Sequence, residues 1–295
     1  MRPHFNWQLR SRTVELGPRT LIMGVLNVTP DSFSDGGRFF EPAAAIEHGL
    51  AMLENGADIL DVGGESTRPG ALAVSSQPAV SAEEELRRVI PVIEELLRRR
   101  PKAIVSIDTY KAQVARAAIE AGAEIANDVS GLRWDPEMAR TVAELQCGVV
   151  LMHMRGSPAE WRTLPPLDDP TELVARELEE RAQAAIAAGI ARERIVLDPG
   201  FGFGKRLDEN YPLLARFDEL HKLGFPLLAG LSRKSFIGRT LAKNGNDLPP
   251  HERLYGSLAA VTAAILKGAH IVRVHDVQST AQAVRIADRI QALNQ

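Results

Sequence analysis

Eight short apolar runs in this chain each deliver a hydrogen-bonding or charged side chain at or just past their end. Residues 21–26 lead to Asn27, and residues 59–62 carry Asp61 and lead on to Glu65, Ser66, Thr67 and Arg68. Residues 103–107 lead to Asp108 and Thr109, and residues 124–126 to Asn127 and Asp128. The run 149–152 ends in Met152 and is followed by His153 and Arg155. Residues 195–197 lead to Asp198 and then to Gly200-Phe201-Gly202-Phe203-Gly204-Lys205. Residues 227–229 precede Ser232, Arg233, Lys234 and Ser235, and residues 271–274 carry Arg273 and precede His275 and Asp276. One such polar group is a helix cap or the start of a turn. Eight in succession point to a shared site.

The residue types divide that site in two. Asp108, Asn127 and Asp198 follow their strands directly, so their short side chains are expected in one mouth, where two carboxylates and an amide suit the N–H edge of a planar, nitrogen-rich ring. Lys234 then meets a ring carbonyl or ring nitrogen and compensates the carboxylates. The other half, Asn27, Thr67, Arg68, Arg273 and His275, seeks anions: Arg forks phosphate oxygens, and His lies near its charge transition at neutral pH. A magnesium ion held by phosphate oxygens and one or two protein oxygens fits such a half. The stretch 27–37, NVTPDSFSDGG, carries small oxygen-bearing side chains suited to anions, sugars or a hard cation, although taken alone it also reads as an ordinary polar turn. Other chemistries fit poorly. The chain has no G-x-S-x-G or H-E-x-x-H, the glycines of 200–204 lack dinucleotide spacing, and one cysteine with scattered histidines argues against a transition-metal cluster.

The elements that must position these groups follow from periodicity. Helical patterns run over 42–55, 82–99, 111–121, 136–145, 171–188, 208–220, 253–267 and 279–293, alternating with the apolar runs. Alternation of that kind means a parallel sheet, and eight units in 295 residues point to an α/β fold, a single closed (β/α)8 TIM barrel. Residues 5–17 alternate polar and apolar positions and predict a β-hairpin ahead of it, so we divide the chain into a hairpin extension over 1–19 and a catalytic barrel over 20–295. Gly-Ala pairs at 56–57, 122–123 and 268–269 read as helix ends entering the next strand. The loop 63–80 is the longest irregular one, a length that is often functional.

Composition narrows the partners. A formal charge of −3 gives no basic field for a nucleic acid, and Arg98-Arg99-Arg100 reads as a solvated helix end. The lone Cys147 excludes an intrachain disulfide, sits before an apolar run as a small core residue, and fits a reducing compartment. No apolar stretch approaches the roughly 18 residues of a membrane span and no signal-like apolar segment opens the chain, so no membrane partner and a cytoplasmic location are expected.

These blocks carry a resemblance. NVTPDSFSDGG at 27–37, DVGGESTRPGA at 61–71, SIDTYKA at 106–112, NDVSG at 127–131, DPGFGFGK at 198–205, SRKSFIG at 232–238 and RVHDV at 273–277 resemble the dihydropteroate synthase family of pterin-binding enzymes, in order, from Leu21 to the end. The departures are the hairpin extension, Val62 where Ile is frequent, and a few extra residues within 71–80. The resemblance implies condensation of 7,8-dihydropterin-6-ylmethyl diphosphate with 4-aminobenzoate to dihydropteroate and diphosphate, with Mg2+ as cofactor. It implies that Asp108, Asn127, Asp198 and Lys234 hold the pterin, with Met152 beside it and Arg273 over its face. Asn27, Thr67, Arg68, Arg273 and His275 would serve the diphosphate, Asn27 also the metal, and Phe33, Thr67, Pro69, Phe203, Lys234 and Ser235 the aminobenzoate. Asp198, Lys234, Arg273, His275 and Asp108 would carry the catalysis, Asp35 would contact the cation or magnesium, and the loops 27–37 and 63–70 would close over the substrates. Two rivals stand beside this reading: a pterin-binding domain that passes a methyl group to a corrinoid protein, and a catalytically silent pterin-binding paralogue. The family also implies a homodimer through the last helices, where Ala259, Ala260, Ala263 and Ala264 either permit close packing or face the barrel.

Overall fold

The structure is a computed structural model, and it describes residues 2–29, 42–65, 80–157, 159–161 and 163–293. The hairpin forms as the alternation predicts: β1 (Phe5–Gln8) pairs antiparallel with β2 (Thr13–Leu16), Phe5 opposite Leu16. The barrel follows with β3 (Leu21–Asn27), α1 (Pro42–Glu54), β4 (Ile59–Gly63), α2 (Ala82–Arg99), β5 (Ile104–Asp108), α3 (Ala112–Glu120), β6 (Ile125–Asp128), α4 (Met138–Leu145) and β7 (Gly148–Met152). It continues with α5 (Pro170–Ala187), β8 (Ile195–Asp198), α6 (Asn210–Ala215), β9 (Leu228–Ala229), α7 (Ser235–Thr240), α8 (Leu254–Leu266), β10 (Ile271–Val274) and α9 (Val277–Gln291).

Among the described residues β3 to β10 form one eight-stranded parallel sheet, in the order β8-β7-β6-β5-β4-β3-β10-β9. A parallel bridge between Leu197 and Leu227, with the Leu197 N–H donating to the Pro226 carbonyl at 3.0 Å, brings the two ends together as a barrel. The expected eight strands are therefore present, and each agrees with its apolar run to within two residues. β7 is buried along its whole length, which is why it reads as a continuous apolar run rather than as alternation.

The barrel interior is apolar at its base. Leu21, Met23, Ile59, Ile125, Val150, Val196, Leu228 and Ile271 pack with Trp7, Leu9 and Leu16 of the hairpin region. Trp7 is completely buried, and its indole N–H donates to the Arg194 carbonyl at 2.9 Å. Gly148 opens β7 because a Cβ there would stand 2.7 Å from Leu9 and 3.2 Å from Trp7. The hairpin region thereby fills that end of the barrel. A second, larger apolar layer lies between strands and helices, where Val89, Ile93 and Leu96 of α2 and Val114, Ala115 and Ala118 of α3 are buried. Cys147 belongs to it, as expected. Gly56, Gly122 and Gly268 take φ of 104°, 110° and 95°, the left-handed ends that the Gly-Ala pairs predict.

Two elements differ from expectation. The helix predicted over 208–220 is broken into 3-10 turns at Leu207–Glu209 and Phe217–Leu223 around the short α6. A three-residue repeat eclipses positions i and i+3, so Phe217 and Leu220 are both fully buried while Asp218 and Glu219 face solvent. The six-residue α7, not expected at all, is seated by the buried Phe236 and Ile237. The four alanines of α8 divide: Ala264 is buried, Ala260 and Ala263 are half-buried against the core, and Ala259 is exposed.

Candidate active site

The polar ends of the strands meet at the C-terminal mouth of the barrel, but they do not all face one another. Arg273 of β10 reaches two carboxylates on neighbouring strands: Nε donates to Asp61 Oδ2 at 2.6 Å, and Nη2 to Asp108 Oδ2 at 2.6 Å. Asp61 Oδ2 also accepts from Asn127 Nδ2 at 2.9 Å. Asp61 is fully buried and Asp108 is 3% exposed, so a guanidinium shared between them is what makes two interior carboxylates tolerable. The second oxygen of each, Asp61 Oδ1 and Asp108 Oδ1, is buried with no hydrogen-bond partner among the described residues.

This changes the role expected of two residues. Asp108 was expected on the wall of the mouth; the structure ties its carboxylate to Arg273, and it is not among the residues lining the cavity. Lys234 was expected to compensate Asp108 and Asp198; its charge does so for Asp198, while Arg273, placed by residue type in the anion-seeking half, pairs with Asp108 and with Asp61. The two halves are therefore joined through Arg273. No spacing rule reaches this, because the partners lie 212 and 165 positions away.

The cavity wall itself gathers Asn27, Asn127, Met152, Asp198, Phe203, Ser235, Lys234, Arg273 and His275, nine of the residues expected at the site, with Val25, Val129, Phe201, Ser232 and Arg253 between them. Val129, Met152, Met154 and Phe203 pack as a small apolar group at this end, a surface suited to the face of a flat ring. The Lys234 ammonium lies 4.2 Å from the centre of the Phe203 ring, a cation–π contact. His275 lies against Ser232: its backbone N–H donates to Ser232 Oγ at 3.2 Å and its Nδ1 is 3.0 Å from the same oxygen.

The Gly-rich segment after β8 is built from within. Asp198 Oδ1 accepts the Gly200 N–H at 2.7 Å, and the Asp198 carbonyl accepts the His153 N–H at 2.8 Å. Gly200 has φ 64°, and a Cβ on it would overlap the His153 carbonyl oxygen, so only glycine lets the chain turn there. Lys205, which closes the motif, is buried and donates to the carbonyls of Gly200 at 2.8 Å and Phe203 at 3.2 Å. Its role is to hold the loop that presents Phe203.

Burial sets the electrostatics. The Asp198 carboxyl is held above its ordinary value by burial, with the Gly200 N–H, Lys234, Arg273 and Lys205 pulling it back. Burial likewise raises Asp108, against the Arg273 charge and with Asp61 adding to the rise. Lys234 is lowered to about 8, chiefly by burial and in spite of Asp198. These are the perturbations expected where charge is handled in a cleft.

Several rim residues singled out by position belong to the scaffold. Asp128 caps the next turn, accepting from Ser130 N at 2.7 Å and Leu132 N at 3.0 Å. His153 turns away to Glu177 at 3.1 Å, Glu65 meets Tyr110 and Lys111 at 3.0 and 2.6 Å, and Asp276 holds Arg233. The expected roles of Phe33, Asp35, Thr67, Arg68 and Pro69, and the closing of the loops, fall outside the described residues. Sequence reasoning gave Asp61 no role beyond its place on a strand, although a second acidic strand end beside Asp108 was the available signal. It passed over Arg253, which no local pattern marks.

No group of three or more His, Cys, Asp or Glu side chains converges to hold a metal among the described residues. Asn27, half-buried at the end of β3 and on the cavity wall, offers one amide oxygen, which suits an ion that takes its other ligands from phosphate and water.

Residues 23–275 match the family described as pterin binding enzyme. The chain is 48% identical over 267 residues to the dihydropteroate synthase of Escherichia coli strain K12, covering 90% of each. It superposes on Xanthomonas albilineans dihydropteroate synthase solved with 4-aminobenzoic acid, at TM-score 0.86 and 46% identity, covering 99% of both chains. A structure of dihydropteroate synthase from the same organism with 7,8-dihydropteroate gives TM-score 0.83 at 44% identity, over 98% of this chain and 99% of that one.

Proposed function

This chain belongs to the pterin-binding enzyme family, and we propose that it carries out the dihydropteroate synthase reaction. The observation that carries the proposal is one cavity in which Asn127, Asp198 and Lys234 stand round the Met152–Phe203 surface while Asn27, Arg273 and His275 line the same wall. A ring site and an anion site that abut suit a pterin carrying a diphosphate on its methylene.

In this reading Asn127, Asp198 and Lys234 take the polar edge of the pterin, and Met152 lies against its face. Arg273, His275 and Asn27 take the diphosphate, joined by Thr67 and Arg68. The aminobenzoate lies among Phe33, Thr67, Pro69, Phe203, Lys234 and Ser235. Its amine nitrogen attacks the pterin methylene, the C–O bond to diphosphate breaks with both electrons leaving on oxygen, and the amine gives up one proton. No protein nucleophile is needed. Arg273 and His275 stabilise the charge growing on the leaving group. Asp198 and Asp108, raised by burial yet flanked by cations, favour the positive charge that develops on the pterin. Asn27 would help to hold a magnesium ion, which would supply further charge neutralisation at the leaving group.

The methyl-transfer reading leaves the anion-seeking wall of Asn27, Arg273 and His275 without a task. Complete polar positions argue against a silent paralogue. The test is diphosphate release by the purified protein given magnesium, the pterin diphosphate and 4-aminobenzoate. Release that requires aminobenzoate and yields dihydropteroate is the expected result. Pterin binding without release would make the chain a silent binder.

Three further parts of the proposal concern setting. The hairpin extension over 1–19 and the catalytic barrel over 20–295 act as one enzyme, supported by the hairpin's packing beneath the strands. A homodimer through α8 and α9 is supported by the exposed apolar side chains Tyr255 at 82% and Ile286 at 66%, with Leu293 at 77% just past the end of α9, and a solution mass of twice 32.2 kDa would bear it out. Cytoplasmic location is supported by the free, buried Cys147. No helix among the described residues is long and apolar enough to cross a membrane.

A further inference from the structure

Arg233 stands between the two halves of the site in a backbone conformation that its residue type disfavours. Its φ is 59°, and no other non-glycine residue on the described cavity wall has a positive φ. Its backbone and its guanidinium are both engaged. Its N–H donates to Ser257 Oγ at 2.8 Å, and its carbonyl accepts from Arg253 Nη1 at 2.9 Å. Its guanidinium forks Asp276, Nε to Oδ2 at 3.0 Å and Nη2 to Oδ1 at 2.6 Å. The clamp is itself braced, since Ser257 Oγ donates to the Arg253 carbonyl at 2.8 Å.

The neighbours on either side show what the clamp holds. Ser232, one residue before, meets the N–H and ring nitrogen of His275. Lys234, one residue after, lies over Phe203 beside the charge of Asp198. Turning φ of Arg233 back to a negative value would rotate one neighbour against the other, so Ser232 and Lys234 cannot both keep these contacts. We infer that Arg233 is a positioning residue: Asp276, Ser257 and Arg253 lock its backbone left-handed, and that one dihedral setting fixes the anion side through Ser232–His275 and the ring side through Lys234. The inference rests on the dihydropteroate synthase reading for the ligands and deepens it.

Glycine accepts a positive φ without the clamp, whereas alanine does not. The test compares Arg233→Ala, Arg233→Gly, Asp276→Asn and the double variant Arg233→Gly/Asp276→Asn with the wild type. The readouts are calorimetric binding of a pterin that lacks the diphosphate, binding of inorganic diphosphate with magnesium, and the NMR signals of the His275 ring without ligand. Arg233→Ala is expected to weaken both ligands about tenfold, the population cost of a left-handed L-residue at about 1.4 kcal/mol per tenfold, and to shift the His275 signals. Arg233→Gly is expected to keep wild-type signals and most of the affinity. Asp276→Asn should weaken both ligands when made alone and change nothing further when added to Arg233→Gly.

Equal behaviour of the Arg233→Ala and Arg233→Gly variants, loss of diphosphate binding alone, or an added effect of Asp276→Asn on Arg233→Gly would each overturn the inference. Failure of the wild type to bind a pterin would remove the proposed reaction instead. The two failures are separable because the His275 signals are read with no ligand present.

Discussion

Replacing Arg273 by methionine tests whether one guanidinium really holds two interior carboxylates at the mouth. Arg273 is 2.6 Å from both Asp61 and Asp108, whose side chains are 0% and 3% exposed. Removing one partner of a buried ion pair costs about 3–5 kcal/mol, because the remaining charge must stay uncompensated or take a proton. At about 2 °C per kcal/mol, the low end for a chain of this size, the melting temperature of Arg273→Met should fall by roughly 6–10 °C near neutral pH. The loss should depend on pH. Burial already raises the Asp108 carboxyl, and Arg273 is what opposes that rise. Without Arg273 the folded-state value climbs further above the unfolded one. A carboxyl raised in this way favours the folded state only when protonated, so the variant's deficit grows as pH rises from about 4 through the folded value, and shrinks on acidification. Urea denaturation at about pH 5 and about pH 8 reads both quantities. Adding Asp61→Asn and Asp108→Asn to the variant should recover most of the stability, since neither position then carries a charge that Arg273 has to compensate. A deficit below about 1 kcal/mol, no change with pH, or a triple variant no more stable than the single one would show that Arg273 does not carry these charges.

Three other expectations follow from the site. Asp198→Asn should lower turnover by about 100-fold or more while the melting temperature stays near wild type, and unchanged diphosphate release would remove Asp198 from the mechanism. Gly200→Ala should cost at least about 1–2 kcal/mol for its left-handed backbone, and more for the overlap with His153, so an unaltered melting curve would mean that the loop path is wrong. Lys234 is lowered to about 8 and therefore loses its charge above that pH, so pterin affinity should decline through about pH 8 in the wild type. A binding profile flat through the alkaline range would show that the charged form is not needed.

Much of this protein is legible before any coordinates. Eight apolar runs and the helical periods between them locate the barrel strands to within two residues, because a strand buried on both faces has no choice but to be apolar. The polar residue ending each run then shares one rim, since parallel strands put their C-terminal ends on the same side. The residue types there separate ring-binding from anion-binding groups. Local signals fail where a short-range tie replaces periodicity, as at 208–220, where a 3-10 turn seats Phe217 and Leu220.

What the tertiary structure alone decides is which rim groups face the cavity and which are drawn into the scaffold. Asp108 and Asp198 both follow an apolar strand, yet one is bound to Arg273 and the other stands on the cavity wall. His153, Lys205 and Asp276 have the residue types of a site and serve as its framework, through Glu177, the Gly200 and Phe203 carbonyls, and Arg233. The left-handed setting of Arg233 has no signature in its sequence, because it is imposed by Ser257, Arg253 and Asp276 from later parts of the chain. Periodicity along a chain states whether a side chain points in or out. It carries no information about which distant partner closes on that side chain once the barrel has formed, and a charge inside a barrel is defined by its partner.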